Sequence, residues 1–136
     1  RKIDQWVKRR RHFAEILTEA FQKLPALRVT VPPPEVYHSF YQYYVFVRPE
    51  LLASDWNRDR IIREIEQRGI PCFCSSCSEI YLEKAFAKYN LQPSERLPVA
   101  RRLGETSLRF LVHPTLDEAD ILATIAAVKD VLQSAC

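Results

Sequence analysis

The chain has 136 residues, 47% of them hydrophobic and 27% charged, and a formal net charge of +3. This composition is typical of a folded domain large enough to bury a core, and it excludes a largely disordered chain. The mild charge does not by itself indicate binding to nucleic acid or to a membrane surface. No apolar run approaches the ~20 residues of a transmembrane helix. Because the sequence contains no methionine and opens inside an apparent helix, we expect it to be a piece of a longer protein.

Apolar residues at helical spacing predict a first helix from Asp4 to Leu24. Its apolar stripe consists of Trp6, Phe13, Leu17, Ala20 and Leu24. The other face is basic, with Lys8 followed by Arg9, Arg10 and Arg11. Pro25 ends this helix; a short edge strand over 27–31 and an extended connector at the three prolines 32–34 are expected to follow.

Aromatic and β-branched residues dominate positions 37–47, which predicts a strand. Large side chains occupy both of its faces, so we expect a central position in a sheet. Asp55 or Asn57 is predicted to cap a helix that runs to about Arg68. A short strand should follow near 71–74, with Pro71 at its first position or at a sheet edge.

The second half alternates irregular and regular segments. Residues 75–93 are predicted to be irregular with one helical turn around 80–87, and Ser94 is predicted to cap a helix to Leu103. Positions 106–112 alternate as a strand, with Leu108, Phe110 and Val112 on one face. Thr115 and Glu118 have capping-box spacing for a last helix. That helix is expected to bury Ile121, Ile125, Val128 and Leu132.

These elements predict a single α+β domain over 1–136. We expect a two-layer sandwich in which a small, mostly antiparallel sheet carries helices on one face. The two glycines, Gly69 and Gly104, each follow an apolar helical series and are predicted to be left-handed helix caps. No glycine-rich loop remains to hold a phosphate against backbone amides, so no phosphate site built from this chain alone is expected.

Four cysteines leave two interpretations open. Cys72, Cys74 and Cys77 have the spacing C-x-C-x-x-C, and Cys136 is the fourth. A zinc or iron–sulfur site, or a redox pair of Cys74 and Cys77, is one interpretation. We favour plain reduced thiols, because the cluster is single and no histidine is near it in sequence.

The basic run and four tyrosines also allow two interpretations. Arginines 9–11 with His12 could bind phosphate, and tyrosines 37, 41, 43 and 44 could stack nucleic-acid bases. We favour a solvated helix face and a buried strand, because no RNA-recognition signature accompanies them. Histidines 12, 38 and 113 are isolated from any candidate nucleophile, so no catalytic set is predicted.

Several short motifs follow one another along the chain: Arg9-Arg10-Arg11, the strand from His38 to Val47, Gly69-Ile70, Leu97-Pro98-Val99-Ala100, Leu108 to His113-Pro114, and Thr115-Leu116. Their order and spacing resemble the C-terminal part of the DegT/DnrJ/StrS family of pyridoxal-phosphate-dependent nucleotide-sugar aminotransferases. The stretch 77–114 resembles that family closely, and the match covers essentially all 136 residues. The loop from Cys72 to Tyr81 departs from the common family pattern and resembles a subgroup with a cysteine- and serine-rich loop.

The resemblance implies the small domain of a fold-type I transferase. Residues 1–24 would connect it to an absent N-terminal large domain that holds the cofactor lysine. The complete enzyme would be a cytoplasmic homodimer in surface-polysaccharide or lipopolysaccharide sugar synthesis, passing an amino group from a donor such as glutamate to a keto sugar nucleotide. No membrane or nucleic-acid partner is expected.

Within this chain, the resemblance implies no catalytic, cofactor-binding or metal-binding residue. The substrate-side wall would include His38, Ser75, Ser76 and Tyr81. The six lysines lie in no Schiff-base context of the family, so the chain alone is expected to be inactive and free of pyridoxal phosphate. A free-standing binding module and a cysteine-based metal or redox protein remain the alternatives.

Two physical expectations follow from a missing large domain. The loop from Cys74 to Tyr81 should be mobile, because nothing would pack against it. The stripe near Trp6 and Phe13 should be partly exposed and should favour self-association.

Overall fold

Hydrophobic spacing folds the chain into helices packed on a small sheet. The computed structural model describes residues 2–74 and 77–136. In these ranges the helices are α1 (Ile3–Phe21), α2 (Arg58–Gln67), α3 (Lys84–Lys88), α4 (Pro98–Thr106) and α5 (Glu118–Ala135). The strands are β1 (Leu27–Val29), β2 (Tyr43–Val47), β3 (Cys72–Phe73) and β4 (Ser107–Phe110). Short 3₁₀ turns cover Pro49–Leu51 and Ile80–Leu82.

The four strands pair in the order β1-β2-β4-β3, and each neighbouring pair is antiparallel. Tyr43 of β2 lies opposite Phe110 of β4, and Cys72 of β3 lies opposite the same Phe110. The predicted central position of β2 is confirmed. The two short strands are edges, which suits Pro71 immediately before β3.

One face of the sheet builds the core. Tyr43, Val45 and Val47 of β2 are buried, while Tyr44 and Phe46 between them are half-exposed on the other face. Helices α1, α2 and α5 supply the rest of one apolar cluster. Each fully buried large apolar side chain in it contributes roughly 1.5–3 kcal/mol. The predicted α+β sandwich with helices on one face is confirmed.

Several predicted boundaries are wrong for local reasons. The second strand begins at Tyr43 and not near 37, because Phe40 has a φ of 44°, which interrupts an extended chain. The first helix ends at Phe21, so Leu24 lies beyond it. The fourth helix begins with Pro98 at its first turn, where the missing N–H costs nothing, and not at Ser94.

The structure identifies two helix caps, one that the sequence left open and one that it predicted at other residues. The side chain of Asn57 caps α2 by accepting the N–H of Arg60 at 2.8 Å. The capping box of α5 joins Asp117 and Asp120, whose side chains each accept the other's backbone N–H at 3.0 and 2.9 Å. The predicted box of Thr115 and Glu118 is therefore wrong; the Thr115 hydroxyl lies 2.7 Å from His113 Nδ1 instead.

The two glycines differ in role. Gly69 has a φ of 79° and ends α2 with the expected left-handed cap. Its N–H donates to Glu66, and that of Ile70 donates back to Ile65, which is a Schellman pair of hydrogen bonds. The prediction for Gly104 is wrong, because it lies inside α4, where a Cβ would collide with the Ser78 hydroxyl.

In the described residues no helix combines the length and apolar character needed to cross a membrane.

Candidate substrate-side surface

His38 lies in the exposed segment before β2 and is held there by short-range contacts. Its ring Nδ1 accepts the backbone N–H of Phe40 at 3.0 Å, and its ring meets the Phe40 ring edge-on at 4.3 Å. Its carbonyl accepts Arg11 Nη1 at 3.0 Å. His38 also lines a cavity of about 250 Å³ with Gln42 and Tyr44. The imidazole is thus oriented by its own chain and stands at the edge of a concave surface.

Among the described residues between β3 and α4, Tyr81 is the least exposed, with 8% of its surface accessible. Its hydroxyl donates to Glu79 Oε1 at 2.6 Å and accepts the N–H of Leu97 at 2.9 Å. Burial, and then the hydrogen bond to Glu79, raise the pKa of the Tyr81 phenol. Tyr81 is therefore a neutral group that joins the two ends of this segment.

Glu79 carries the strongest electrostatic contact of the segment. Its carboxylate accepts Arg96 Nε at 2.9 Å and Arg96 Nη2 at 2.5 Å, which is a bidentate pair. The guanidinium, and then the Tyr81 hydroxyl, lower the pKa of Glu79 to about 2. Only 13% of the Glu79 side chain is exposed, so solvent screens this pair less than an ordinary surface ion pair.

The sheet register shows where the predicted wall residues stand. The segment of His38 enters β2 at Tyr43, opposite the end of β4 at Phe110. The segment of Tyr81 leaves β3 at Phe73 and continues through α4 before β4 starts at Ser107. The two segments therefore join different strands of the sheet, and among the described residues no hydrogen bond or ring contact links His38 to Tyr81. Ser75 and Ser76 lie outside the described residues.

The basic run of α1 contacts neighbouring segments. Arg9 Nη2 donates to the carbonyl of Leu116 at 2.7 Å, and His12 Nε2 lies 2.8 Å from Glu118. The Arg11 guanidinium also lies over the Tyr37 ring at 4.3 Å. These contacts favour a structural role for the run over a free phosphate patch.

The four tyrosines do not share one face. Tyr43 is buried in the core, where its hydroxyl lies 2.9 Å from Thr18 Oγ1 and burial raises its pKa to about 12. Tyr44 points to the opposite face of β2, and Tyr37 and Tyr41 are exposed outside the strand. They therefore cannot form a single stacking platform for bases.

The cysteines occupy different environments. Cys72 is fully buried on β3, and burial raises the pKa of its thiol to about 12. Cys74, Cys77 and Cys136 are exposed, and the Cys77 thiol donates to Glu83 at 3.2 Å. Among the described residues, no group of histidine, cysteine and acidic side chains could hold a metal ion.

A run of exposed apolar side chains accompanies Tyr81. Six large apolar residues between positions 80 and 99 have roughly half of their surface or more in solvent. They are Ile80, Leu82, Tyr89, Leu91, Leu97 and Val99. Such a density of exposed apolar surface marks a contact area for another surface or a ligand.

The expected exposure at the start of α1 is right only in part. Trp6 is 45% exposed, but Phe13 is fully buried in the core. The prediction that Phe13 contributes to an exposed stripe is therefore wrong. Phe13 lies on the side of α1 that faces the sheet and α5, which the stripe alone could not show.

Comparison with known proteins identifies the class. The family model of the DegT/DnrJ/EryC1/StrS aminotransferase family matches residues 1–129. The chain therefore belongs to this aminotransferase family. No curated protein sequence matches it.

Solved structures give the same architecture. The chain is similar to an aminotransferase from Psychrobacter cryohalolentis, with 44% identity and a TM-score of 0.91 over 98% of this chain and 36% of that one. It is also similar to the aminotransferase TlmJ from Streptoalloteichus hindustanus, with 25% identity and a TM-score of 0.83 over 98% and 34% of the two chains. PseC from Helicobacter pylori, an aminotransferase of pseudoaminic acid biosynthesis, shares the fold at 16% identity and a TM-score of 0.80. The chain spans about a third of the length of these proteins.

Sequence reasoning missed the pair of Glu79 and Arg96. The two residues are 17 positions apart across an irregular segment, so no helical or strand period relates them. The only hint in the sequence was that Glu79 lies two positions before Tyr81, a predicted wall residue.

Proposed function

We propose that this chain is the small domain of a pyridoxal-phosphate-dependent aminotransferase that acts on a keto sugar nucleotide. In this proposal a separate large domain holds the cofactor lysine, and the small domain closes one wall of the site. The enzyme works in the cytoplasm as a homodimer, takes its amino group from a donor such as glutamate, and serves the synthesis of a surface-polysaccharide or lipopolysaccharide sugar.

One observation carries the proposal. Nearly the whole chain superposes on a solved aminotransferase at 44% identity, yet it corresponds to only 36% of that protein. A family match over residues 1–129 supports the same assignment. The remaining two thirds of such a protein is where the proposal places the cofactor.

In this proposal the chain contributes no complete cofactor site. A pyridoxal phosphate site needs a lysine for the Schiff base and a cradle of amides or cations for the phosphate. Gly69 ends α2 and Gly104 is packed inside α4, so neither opens a phosphate loop. Lys84 and Lys88 are exposed on the five-residue helix α3. We therefore assign no cofactor step to this chain.

The proposed wall consists of His38, Ser75, Ser76 and Tyr81. Hydroxyl and imidazole groups suit hydrogen bonds to sugar hydroxyls and to the carboxylate of an amino donor. Because the Tyr81 hydroxyl already donates to Glu79 and accepts from Leu97, Tyr81 acts in this proposal mainly by holding its segment in place.

The exposed apolar run between positions 80 and 99 is the proposed contact with the large domain. Its side chains remain in solvent in the isolated chain, although large apolar residues gain roughly 1.5–3 kcal/mol each when fully buried. A second domain packed on this surface would cover them and close the wall.

A domain exchange tests the function. This chain would replace the matching third of the Psychrobacter cryohalolentis aminotransferase, and amino transfer from glutamate would be measured over a panel of keto sugar nucleotides. We expect the chimera to retain pyridoxal phosphate and to transfer the amino group to at least one acceptor.

Two controls accompany the exchange. The relative truncated to its other two thirds should show no transfer, and this chain alone should keep no pyridoxal phosphate after dialysis. A chimera that folds and holds the cofactor but transfers to no acceptor accepted by the intact relative would overturn the proposal. Dialysis-resistant cofactor on this chain, lost on replacing a single lysine, would do so as well.

A further inference from the structure

We infer that Glu79, Tyr81 and Arg96 form a positioning cluster that closes residues 82–95 into a loop and holds its apolar side chains on the substrate side. The inference extends the proposed function and relies on it only for the statement that this surface faces the substrate. The contacts of the cluster lie entirely within this chain.

The contacts of the cluster cross the base of the loop. Glu79 and Tyr81 precede the loop, and Arg96 and Leu97 follow it. The Glu79 carboxylate accepts from Nε and Nη2 of Arg96, and the Tyr81 hydroxyl donates to Glu79 and accepts the N–H of Leu97. Three of these four hydrogen bonds join two short stretches that lie on either side of the 14 residues 82–95.

The loop contains hydrogen-bonded structure of its own, which the contacts at its base can orient. Helix α3 ends at Lys88, and Asn90 just beyond its cap has a φ of 53°. The N–H of Leu91 donates to the carbonyl of Phe86 at 3.0 Å, and that of Asn90 donates to Ala87 at 3.3 Å. This is a Schellman ending in which asparagine takes the left-handed position. The loop therefore contains a short folded unit of its own between the two stretches at its base.

The loop exposes large apolar side chains. Leu82, Tyr89 and Leu91 are exposed, and none of them belongs to the core cluster. Because the cluster fixes both ends of the loop, it fixes where these side chains stand relative to the sheet. Glu79, Tyr81 and Arg96 thus act through the loop and need not touch a substrate.

Hydrogen exchange on this chain tests the closure. The variants are Glu79→Gln, Arg96→Gln, their double variant and Tyr81→Phe. The control is Asp55→Asn, which removes the charge from an exposed Arg60–Asp55 pair of similar length (2.5 Å) that does not act on the cluster. Amides of β2 and α5 report whether the fold is intact.

We expect the amides of 82–95 to exchange about tenfold faster in each single variant, since a charge-assisted hydrogen bond to a shielded carboxylate is lost. The double variant should exchange little faster than either Gln variant, because one pair is lost in all three. Asp55→Asn should leave exchange in 82–95 unchanged. Unchanged exchange in 82–95, equal acceleration in β2 and α5, or a double variant equal to the product of the singles would overturn the inference.

Kinetics separate positioning from a general structural effect. In the domain-exchange chimera, Glu79→Gln should raise the KM for the keto sugar nucleotide about tenfold, while cofactor retention and the rate of the glutamate half-reaction stay unchanged. Asp55→Asn should alter neither the KM nor the glutamate half-reaction. Equal loss in both half-reactions would contradict a positioning role. Because exchange is read on this chain itself, it decides whether the closure exists even where the chimera shows no transfer.

Discussion

At the scale of single residues, the two most informative groups are an acid and a thiol with opposite surroundings. Glu79 is surrounded by donors, with Arg96, Tyr81 and Arg101 as the charged or titratable groups that act on it. Cys72 is surrounded by apolar side chains of the core. The first environment favours the charged form and the second favours the neutral form.

The acid titration of Glu79 should be displaced. Its pKa of about 2 lies below the ordinary value near 4.3. The stabilisation from its ionised form should therefore be fully present above about pH 4.5 and should disappear as the pH falls toward 2. A carboxyl-carbon NMR titration should place the midpoint near 2 in the unaltered chain and raise it toward 4.3 in Arg96→Gln. A midpoint near 4 in the unaltered chain would contradict the pairing.

The four thiols should react unequally. In the folded chain at pH 8, a thiol reagent should modify Cys74, Cys77 and Cys136 and leave Cys72 unmodified, because Cys72 is buried and its pKa is raised to about 12. After unfolding in guanidinium chloride all four should react. Mass spectrometry counts the modified sites. Modification of Cys72 at the rate of the other three would show that β3 opens freely at the sheet edge.

At the scale of secondary-structure elements, the sequence predicted correctly those elements whose buried residues recur at a regular spacing. The buried positions of α5 and the central place of β2 were readable because apolar residues recur at fixed spacing. Predicted element boundaries were wrong where one local feature outweighs the helix or strand propensity of the residues. Phe40 with positive φ interrupts the second strand, and the Asp117–Asp120 box precedes α5 where Thr115 also had suitable spacing.

The cap of α5 offers a test with a matched control. Replacing Asp117 by Ala should lower the free energy of unfolding by about 1 kcal/mol, because it removes the acceptor for the N–H of Asp120. Thr115→Ala, two residues earlier, should change it by less than about 0.5 kcal/mol. Urea unfolding of the two variants compares them. A larger loss in Thr115→Ala would restore the box that the sequence predicted.

The turn after α2 requires glycine for its backbone. Gly69→Ala should destabilise the fold by about 1–2 kcal/mol, since Gly69 has a φ of 79° and a side chain is strained there even in open space. Gly69→Asn should cost less, because asparagine tolerates the left-handed region better. Thermal unfolding measures both variants. Equal stability of Gly69→Ala and the unaltered chain would mean that the helix end rearranges.

At the scale of the whole molecule, the fold was predictable from the sequence, and the cluster of Glu79, Tyr81 and Arg96 was not. The family resemblance and the α+β architecture came from the order of apolar periods and short motifs along the chain. The contact between Glu79 and Arg96 depends on the path of an irregular segment, and no regular spacing of residues in the sequence predicts that path.

The most direct test of the central claim measures the acceptor half-reaction of the domain-exchange chimera with residues of the proposed wall removed. With the chimera loaded with pyridoxal phosphate and amino donor, the absorbance of the bound cofactor would be followed after a keto sugar nucleotide is mixed in. The combined variant His38→Ala, Ser75→Ala and Ser76→Ala should slow this step about tenfold or more, because hydrogen bonds to the sugar are lost. Ser134→Ala, an exposed serine on α5, should leave it unchanged. Equal rates in the wall variant, the Ser134 control and the unaltered chimera would contradict the claim that this chain forms the substrate-side wall.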